Sequence, residues 1–447
     1  MSIKVGLVSL GCAKNLVDSE IALGYVVEHG YEIVTDPAQA DVIIVNTCGF
    51  IGPAKEESIN TILEMAEYKQ TGRCRCLIVT GCLSARYRHE LWQEMPEIDA
   101  LLGTGEMAAV PQVIDRVLHG EKIYLINDQF FSYDNPDIPR LVSTGNHTAY
   151  LKIAEGCSHS CAFCIIPHIR GPYRSRKPEA IIAEAEKLAA AGVKEINIIA
   201  QDTTQYGWDL DKKWSLAELL AELVKIEIPW IRVLYAYPTS LSDEVLDLMA
   251  THDRLLSYID LPLQHAAGSV LKRMKRPGNF ESQLALIEKI RKRVPGVTLR
   301  SSFIVGFPGE TASEFQELLD FLQAAQLDRC GIFQYSAEEG TAAYSLEDHI
   351  PDAVKQERYD MSMQLQQQIS LAKQKRLLGK KLEVLIDGPS VESDLVVVGR
   401  HRGQAPEVDG LVYIGNPSLK AGDIVTVKIT QVHPYDLVGE LLEGDVN

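Results

Sequence analysis

Apolar residues in this chain keep two alternating rhythms from Ile3 to about Leu118: short Val-, Ile- and Leu-rich runs, then stretches where they recur every third or fourth position. That alternation predicts parallel strands joined by crossover helices, with the helices covering the sheet. Strands are expected at Val5–Leu10, Val42–Asn46 and Leu77–Thr80. The stretch Asp128–His147 is rich in Asp, Asn, Pro, Ser and Gly without periodicity, and reads as a linker.

The rhythm resumes at Ala149 and continues to about Ser336, with strands expected at Tyr150–Ala154, Glu195–Ala200, Ile231–Ala236, Tyr258–Leu261, Thr298–Val305 and Gly331–Tyr335. Six parallel strands with crossover helices can curl into an open barrel, whose loops at the carboxyl ends of the strands form the usual site. Pro351–Leu378 reads as a long helix, with Pro351 suited to its first turn and Gly379 to its end. From Leu382 onward short strands such as Val384–Ile386, Leu395–Val398 and Ile424–Ile429 suggest a small antiparallel barrel. The expected fold is therefore α/β: a parallel α/β domain over 3–118, a linker over 119–142, an open (β/α)6 partial barrel over 143–380 and a small β-barrel over 382–447. No fixed-period repeat and no low-complexity tract interrupts it.

Composition narrows the class. An apolar share of 46% and a charged share of 23% over 447 residues fit a soluble globular chain of about three domains. No apolar run reaches the roughly 18 residues of a membrane span. Met1–Leu10 reads as a first strand rather than a signal peptide, so a cytoplasmic location is expected. The net charge of −17 argues against a protein that coats nucleic acid and favours a basic protein partner, or no charged partner. Acidity that merely keeps an enzyme soluble is the plainer alternative.

Cysteine usage carries the chemistry. There are nine cysteines, at 12, 48, 74, 76, 82, 157, 161, 164 and 330, and an odd count in a leaderless chain is no disulfide framework. Gly156-Cys157-Ser-His-Ser-Cys161-Ala-Phe163-Cys164 follows the first strand of the middle segment. Three thiolates so spaced can wrap one four-iron cluster and leave a corner open for a reactant. A zinc knuckle is the alternative, with His159 or His168 as a fourth ligand.

A second set is dispersed. Cys12, Cys48 and Cys82 each sit just past an expected strand, at gaps of 36 and 34 residues, which puts all three along one edge of a parallel sheet. Three unrelated buried cysteines would be the bland reading. Cys74, Cys76 and Cys330 lack this placement and read as structural or incidental.

The Cys157–Cys161–Cys164 motif on a six-strand partial barrel resembles the radical S-adenosylmethionine (SAM) superfamily. That resemblance implies an open iron that binds the amino and carboxylate groups of SAM, and reductive cleavage to a 5′-deoxyadenosyl radical. Phe303-Ile-Val-Gly306-Phe-Pro308-Gly309-Glu310 resembles the superfamily's strand-end motif near the adenine. Phe163, Gly306, Pro308, Gly309 and Glu310 are thereby implied in SAM binding, although such a turn also serves simply to join a strand to a helix. Asp260-Leu-Pro-Leu-Gln264-His265 and Ala200-Gln201-Asp202 also close strands, as cofactor contacts or as satisfied loop polars.

A triad-bearing α/β domain followed by a radical barrel resembles the methylthiotransferase family, across essentially the whole chain. It implies a second 4Fe–4S cluster on Cys12, Cys48 and Cys82, a terminal barrel of the TRAM type, and an electron donor such as a flavodoxin or ferredoxin. The family divides between tRNA-modifying members and one that methylthiolates the β-carbon of an aspartate in small-subunit ribosomal protein S-twelve. Gly11-Cys-Ala-Lys-Asn15 with Asp18-Ser-Glu20, Asn46-Thr-Cys-Gly-Phe50 with Ala54-Lys55 and Glu57-Ser58, and Leu261-Pro-Leu-Gln-His265 resemble the latter branch. Ala13 departs from its more usual proline and touches no ligand.

Charge agrees with the protein substrate. Residues 382–447 hold eleven acidic groups against four basic ones, a balance suited to a Lys- and Arg-rich ribosomal protein rather than to tRNA. Solubilising charge would look the same. Basic runs at Lys272–Arg276, Arg291–Arg293 and Arg170…Arg174-Ser-Arg176-Lys177 read as solvated helix faces or as contacts to RNA, substrate or a cofactor carboxylate.

Overall fold

The segment Val42-Ile-Ile-Val-Asn-Thr47 is buried at every position, as a parallel strand covered on both faces must be. The computed structural model describes residues 2–127 and 130–442. They group into two units: Met1–Ser143, Lys152–Ala183 and Ser336–Tyr344 in the first, and Thr144–Leu151, Glu184–Tyr335 and Ser345–Asn447 in the second. Lys152–Ala183, which carries the contiguous cysteine triad, belongs to the first unit.

In the first unit six parallel strands form one sheet: β1 (Lys4–Ser9), β2 (Glu32–Ile33), β3 (Val42–Thr47), β4 (Cys76–Gly81), β5 (Ala100–Leu102) and β6 (Ile123–Leu125). Their order is β2-β1-β3-β4-β5-β6, which reverses between β1 and β3. In such sheets the crevice at the carboxyl ends beside the reversal is where ligands bind. The covering helices are α1 (Ala13–Glu28), α2 (Gly52–Thr71), α3 (Cys82–Glu94) and α4 (Val110–Leu118). β1, β3 and β4 fall at the expected strands. β2, β5 and β6 span only two or three residues, too few for alternation to register in the sequence, and β6 lies inside the expected linker. Cys74 packs into this unit's core among Ile43, Ile62, Leu77 and Leu101.

In the second unit a sheet of six strands runs in chain order: β7 (Thr148–Lys152), β8 (Glu195–Ile199), β9 (Trp230–Val233), β10 (Leu255–Asp260), β11 (Thr298–Val305) and β12 (Arg329–Gln334). The pairs from β8 to β12 are parallel, and the sheet stays open. On β11 alternate residues are buried, and Phe303 packs edge-on against Phe321 of the helix Ala312–Ala325. Helices therefore cover one face and leave Arg300, Ser302 and Ile304 on the other.

The helix expected at Pro351–Leu378 spans Asp352–Gln374 and ends in a 3-10 turn at Lys375–Leu377. It leads into a closed barrel of β13 (Lys381–Pro389), β14 (Val397–His401), β15 (Val412–Ile414), β16 (Ile424–Val432) and β17 (Leu437–Leu441). Four of its pairs are antiparallel and one, β15 with β17, is parallel. A ring of five strands cannot alternate direction all the way round, so one parallel pair is forced. The strand expected at Leu395–Val398 begins two residues later, with Leu395 72% exposed. Among the described residues no helix is long and apolar enough to cross a membrane.

Candidate functional site

Cys12 caps the start of α1 after β1, Cys48 follows β3, and Cys82 opens α3 directly after β4. The register Ser9↔Asn46 and Thr47↔Gly81 aligns the three strand ends, so the thiols meet at the carboxyl edge beside the reversal of strand order. Two glycines show how close the approach is. A Cβ on Gly11, whose φ is +89°, would lie 2.8 Å from Cys48 Cβ and 3.1 Å from its Sγ. One on Gly49 would lie 2.9 Å from the carbonyl carbon of Cys82. The edge has no room for side chains there, only for the thiols.

Electrostatics agree with the convergence, because Cys48 feels the charge of both Cys82 and Cys12, and Cys82 feels that of Cys12. Burial pushes Cys48 up to about 11, and Cys82 and Cys12 add to the rise. Burial also raises Cys82, while the Arg170 guanidinium pulls it back. Cys12 is open to solvent yet crowded by protein; there burial is outweighed by Lys14, Arg170 and the backbone N–H groups of Asn15 and Lys14, which hold the thiol below its ordinary value. Helix N-termini favour thiolates in this way. Crowded thiols, two of which resist ionising, suit a cationic iron cluster, which deprotonates its ligands as it binds.

Polar side chains fix these strand ends. Asn15 Nδ2 donates to Leu10 O at 2.7 Å, and Asn46 Nδ2 donates to Asn15 O at 2.9 Å and to Ser19 Oγ at 2.8 Å. Ser58 Oγ clasps the Cys48 backbone, accepting from its N–H at 3.0 Å and donating to its carbonyl at 2.9 Å. Glu20 accepts from Arg140 Nη2 at 2.6 Å and from the Ser143 N–H at 2.6 Å. Glu338 gathers Lys55 at 2.8 Å and Arg86 at 2.7 Å. Asn15, Asp18, Glu20, Lys55 and Ser58 all stood in the motifs that suggested the family, and each has a bonding reason to be there.

Beneath the thiols lies a buried ionic cluster that the sequence did not reveal. Asp18 of α1 pairs with Lys152 and, at 2.8 Å, with Arg170. Glu155 pairs with Lys152 at 2.8 Å and with Arg170 at 3.1 Å, and Tyr133 Oη donates to Asp18 at 2.7 Å. Arg170 Nη2 reaches Asn15 Oδ1 at 3.0 Å and Cys82 Sγ at 3.3 Å. Arg170 is only 3% exposed, so the reading of its basic run as a solvated face fails there. Arg176 is likewise buried against Lys152 O, and Arg174 lies over the Phe130 ring.

The contiguous triad occupies the loop between the short strand Ala154–Glu155 and the helix Ile166–Arg170, here α5. The Cys157 N–H donates to Gly171 O at 3.1 Å, the Cys164 N–H to Cys161 O at 3.1 Å, and the Ala343 N–H to Ala162 O at 2.7 Å. Cys157 is buried; Cys161 and Cys164 are partly open, as is Phe163 between them. Cys82 packs with Ile165 and Ile169, so the two triads are neighbours within the first unit. Among the described residues no three His, Cys, Asp or Glu groups close around a single metal ion. A cubane cluster presents its irons at separate corners and takes thiolates held further apart.

Gly306, Pro308, Gly309 and Glu310 form the turn after β11 in the second unit, with Gly309 partly open and the others buried. The Glu310 carboxylate turns inward: it accepts from the Gly306 N–H and, at 3.1 Å, from the Phe307 N–H, and Arg358 lies 3.4 Å away. Its side chain shapes the turn. Asp260 binds Arg300 at 2.8 Å, Asp202 binds Thr204 N at 2.9 Å, and the fully buried His265 accepts from the Ala267 N–H at 3.0 Å. Asp260 and Asp202 are thereby satisfied within their loops, whereas His265 Nε2 and Glu310 Oε1 are buried without a hydrogen-bond partner among the described residues.

Much of the charge counted along the sequence is also engaged. Asp387 pairs with Arg400 at 2.9 Å and Asp409 accepts from Tyr258 Oη at 2.7 Å, while Glu392, Asp394, Glu407 and Glu440 stay exposed. Glu443 and Asp445 lie outside the described residues. Arg273 pairs with Glu314 at 3.0 Å and Arg293 with Asp247 at 3.0 Å, which engages part of each basic run beyond the cysteine loop and leaves Lys272, Lys275 and Lys292 exposed.

Comparison with known proteins meets this geometry. A relative described as ribosomal protein uS12 methylthiotransferase RimO, from Syntrophotalea carbinolica, is 49% identical over 442 residues, covering 98% of this chain and 97% of its own. The chain belongs to the RimO family of radical SAM methylthiotransferases. Relatives of the same description from Solibacter usitatus and Pelotomaculum thermopropionicum are each 49% identical over 98% of this chain, covering 95% and 99% of their own lengths. The radical SAM superfamily model matches residues 151–322, the TRAM domain model 378–442, and the model described as uncharacterized protein family UPF0004 matches 4–103. Among solved structures, the radical SAM methyltransferase TsrM from Kitasatospora setae, with cobalamin and a [4Fe-4S] cluster bound, aligns with a TM-score of 0.55 at 16% identity over 77% of each chain. At that identity the likeness is one of fold.

Proposed function

We propose that this chain adds a methylthio group to the β-carbon of an aspartate in ribosomal protein uS12, using SAM and two 4Fe–4S clusters. One cluster takes Cys12, Cys48 and Cys82 as ligands, the other Cys157, Cys161 and Cys164. The meeting of Cys12, Cys48 and Cys82 at one sheet edge carries the reading, because a second ligand set is what insertion of sulfur requires beyond radical formation. The full-length identity to relatives named for uS12 supports the substrate. In domain terms, residues 3–118 hold the first ligand set, 119–142 connect, 143–380 form the radical core and 382–447 the TRAM barrel.

When bound, the clusters and SAM supply a reductively generated radical that can attack a carbon–hydrogen bond too inert for acid–base chemistry at neutral pH. The chain's own residues prepare the place. Ser58 and Asn15 hold the Cys48 and Cys12 loops at fixed strand ends. Arg170 and Lys152 offset negative charge beside the thiols. The turn Gly306–Glu310, shaped by its own carboxylate, and Phe163 are assigned to seating SAM. A low-potential flavodoxin or ferredoxin is the electron source, and a ribosomal target places the reaction in the cytoplasm.

The test is anaerobic reconstitution with SAM, a reductant and a uS12 peptide that contains the target aspartate. Gain of one methylthio group on the peptide supports the reading. Modification of tRNA adenosine with an unchanged peptide overturns the substrate.

A further inference from the structure

We propose that Arg170 is a positioning residue for the cluster on Cys12, Cys48 and Cys82: its guanidinium holds the Cys82 sulfur and stabilises the reduced form of that cluster. The inference rests on the ligand assignment above. Arg170 is 3% exposed, and oxygens hold its fork from several sides: Asp18 Oδ2 at 2.8 Å, Glu155 Oε2 at 3.1 Å and Asn15 Oδ1 at 3.0 Å. With the fork so fixed, Nη2 is also directed at Cys82 Sγ, 3.3 Å away. Arginine suits this task because its planar donors keep fixed relative directions, whereas an ammonium is a single point charge.

The charges of the cluster indicate what the arrangement is for. Asp18 and Glu155 balance Lys152 and Arg170, so the four groups neutralise one another without the sulfur. Buried ion pairs are poor stabilisers compared with apolar residues of similar shape, so stability alone does not account for four charges at this place. What they do secure is the aim of one guanidinium. A hydrogen bond to a cluster sulfur raises the reduction potential, since it offsets the negative charge that an added electron brings. The same groups reach the other triad: Glu155 lies two residues before Cys157, and Arg170 ends the helix that follows Cys164. The loop that carries one ligand set thus supplies the donor to the other.

The experiment uses the full chain with Cys157, Cys161 and Cys164 all changed to Ala, so that only the first cluster is read. After anaerobic reconstitution, iron per chain, the midpoint potential by dithionite titration, and the rate of iron loss to a chelator are measured. Arg170→Gln is expected to move the midpoint to a more negative value and to speed iron loss about tenfold, as removal of a charge-assisted hydrogen bond should. Arg170→Lys keeps a cation for Asp18 and Glu155 but lacks the fork, and serves as the test if Arg170→Gln does not fold; a smaller shift in the same direction is expected. A midpoint and release rate equal to the parent in both variants overturn the proposal. A folded parent that binds no iron overturns the ligand assignment itself, before Arg170 is altered.

Discussion

Cys157, Cys161 and Cys164 share one loop of eight residues, whereas Cys12, Cys48 and Cys82 come from three strand ends separated by 36 and 34 residues. The loop triad is a local object, held by a few backbone bonds to Gly171 and Ala343. The dispersed triad exists only while β1, β3 and β4 keep their register. A slip of one residue would move a thiol by about 3.3 Å and turn it to the other face. One set tests the sequence of a loop, the other the integrity of a sheet.

The sharpest contrast is between the two sets themselves. Changing Cys157, Cys161 and Cys164 to Ala should abolish both transfer and SAM cleavage, and lower iron from about eight to about four per chain. Changing Cys12, Cys48 and Cys82 should lower iron equally but leave reductive cleavage of SAM to 5′-deoxyadenosine. Equal loss of cleavage in both would break the division of roles.

A control in the other unit comes next. Glu195 is fully buried and pairs with Arg232 at 2.9 Å and Arg400 at 2.7 Å. Glu195→Ala leaves two buried guanidinium groups short of a partner and should cost about 3–5 kcal/mol in urea unfolding. Iron content should not change, because no thiol belongs to that network; a fall in iron would show that the dispersed triad depends on more than its own sheet.

Gly11→Ala is smaller but aimed at the triad. The positive φ alone costs about 1–2 kcal/mol, and the new methyl presses on Cys48. Iron should fall toward half, with SAM cleavage retained. Full iron would mean that the strand ends are less crowded than the geometry requires.

The smallest effect is a pH slope unrelated to iron. Burial first, then Arg329 and Arg232, holds His401 down to about 3. The unfolded chain protonates this ring near pH 6.5 while the folded chain declines the proton, so stability is complete above that value. It should fall by about 1.4 kcal/mol per unit as pH drops below about 6.5 and level off near the folded value. Urea midpoints at about pH 7.5 and 5.5 measure it, and His401→Gln should flatten the difference.

The loop motif could be read from the sequence because its thiols are neighbours along the chain. The dispersed triad was legible only through an inference about strands: each thiol follows an apolar run, and parallel sheets put such positions on one edge. Arg170 was not legible. It stood in a basic run, and the acceptors that bury it, Asp18, Glu155 and Asn15, come from other elements. The acidic count over the last segment was a fair sum but an incomplete picture, since Asp387 and Asp409 point inward to Arg400 and Tyr258.

The sequence by itself determined the alternation of strands and helices, the barrel at the end, and the two sets of thiols, because periodicity and spacing are properties of the chain. Only the tertiary structure decided that β5 and β6 complete the first sheet, that Glu310 serves its own turn, and that a guanidinium lies against Cys82. Those outcomes depend on which buried charges and short strands find partners across long loops. Such pairing is settled by packing in three dimensions, and no local pattern records it.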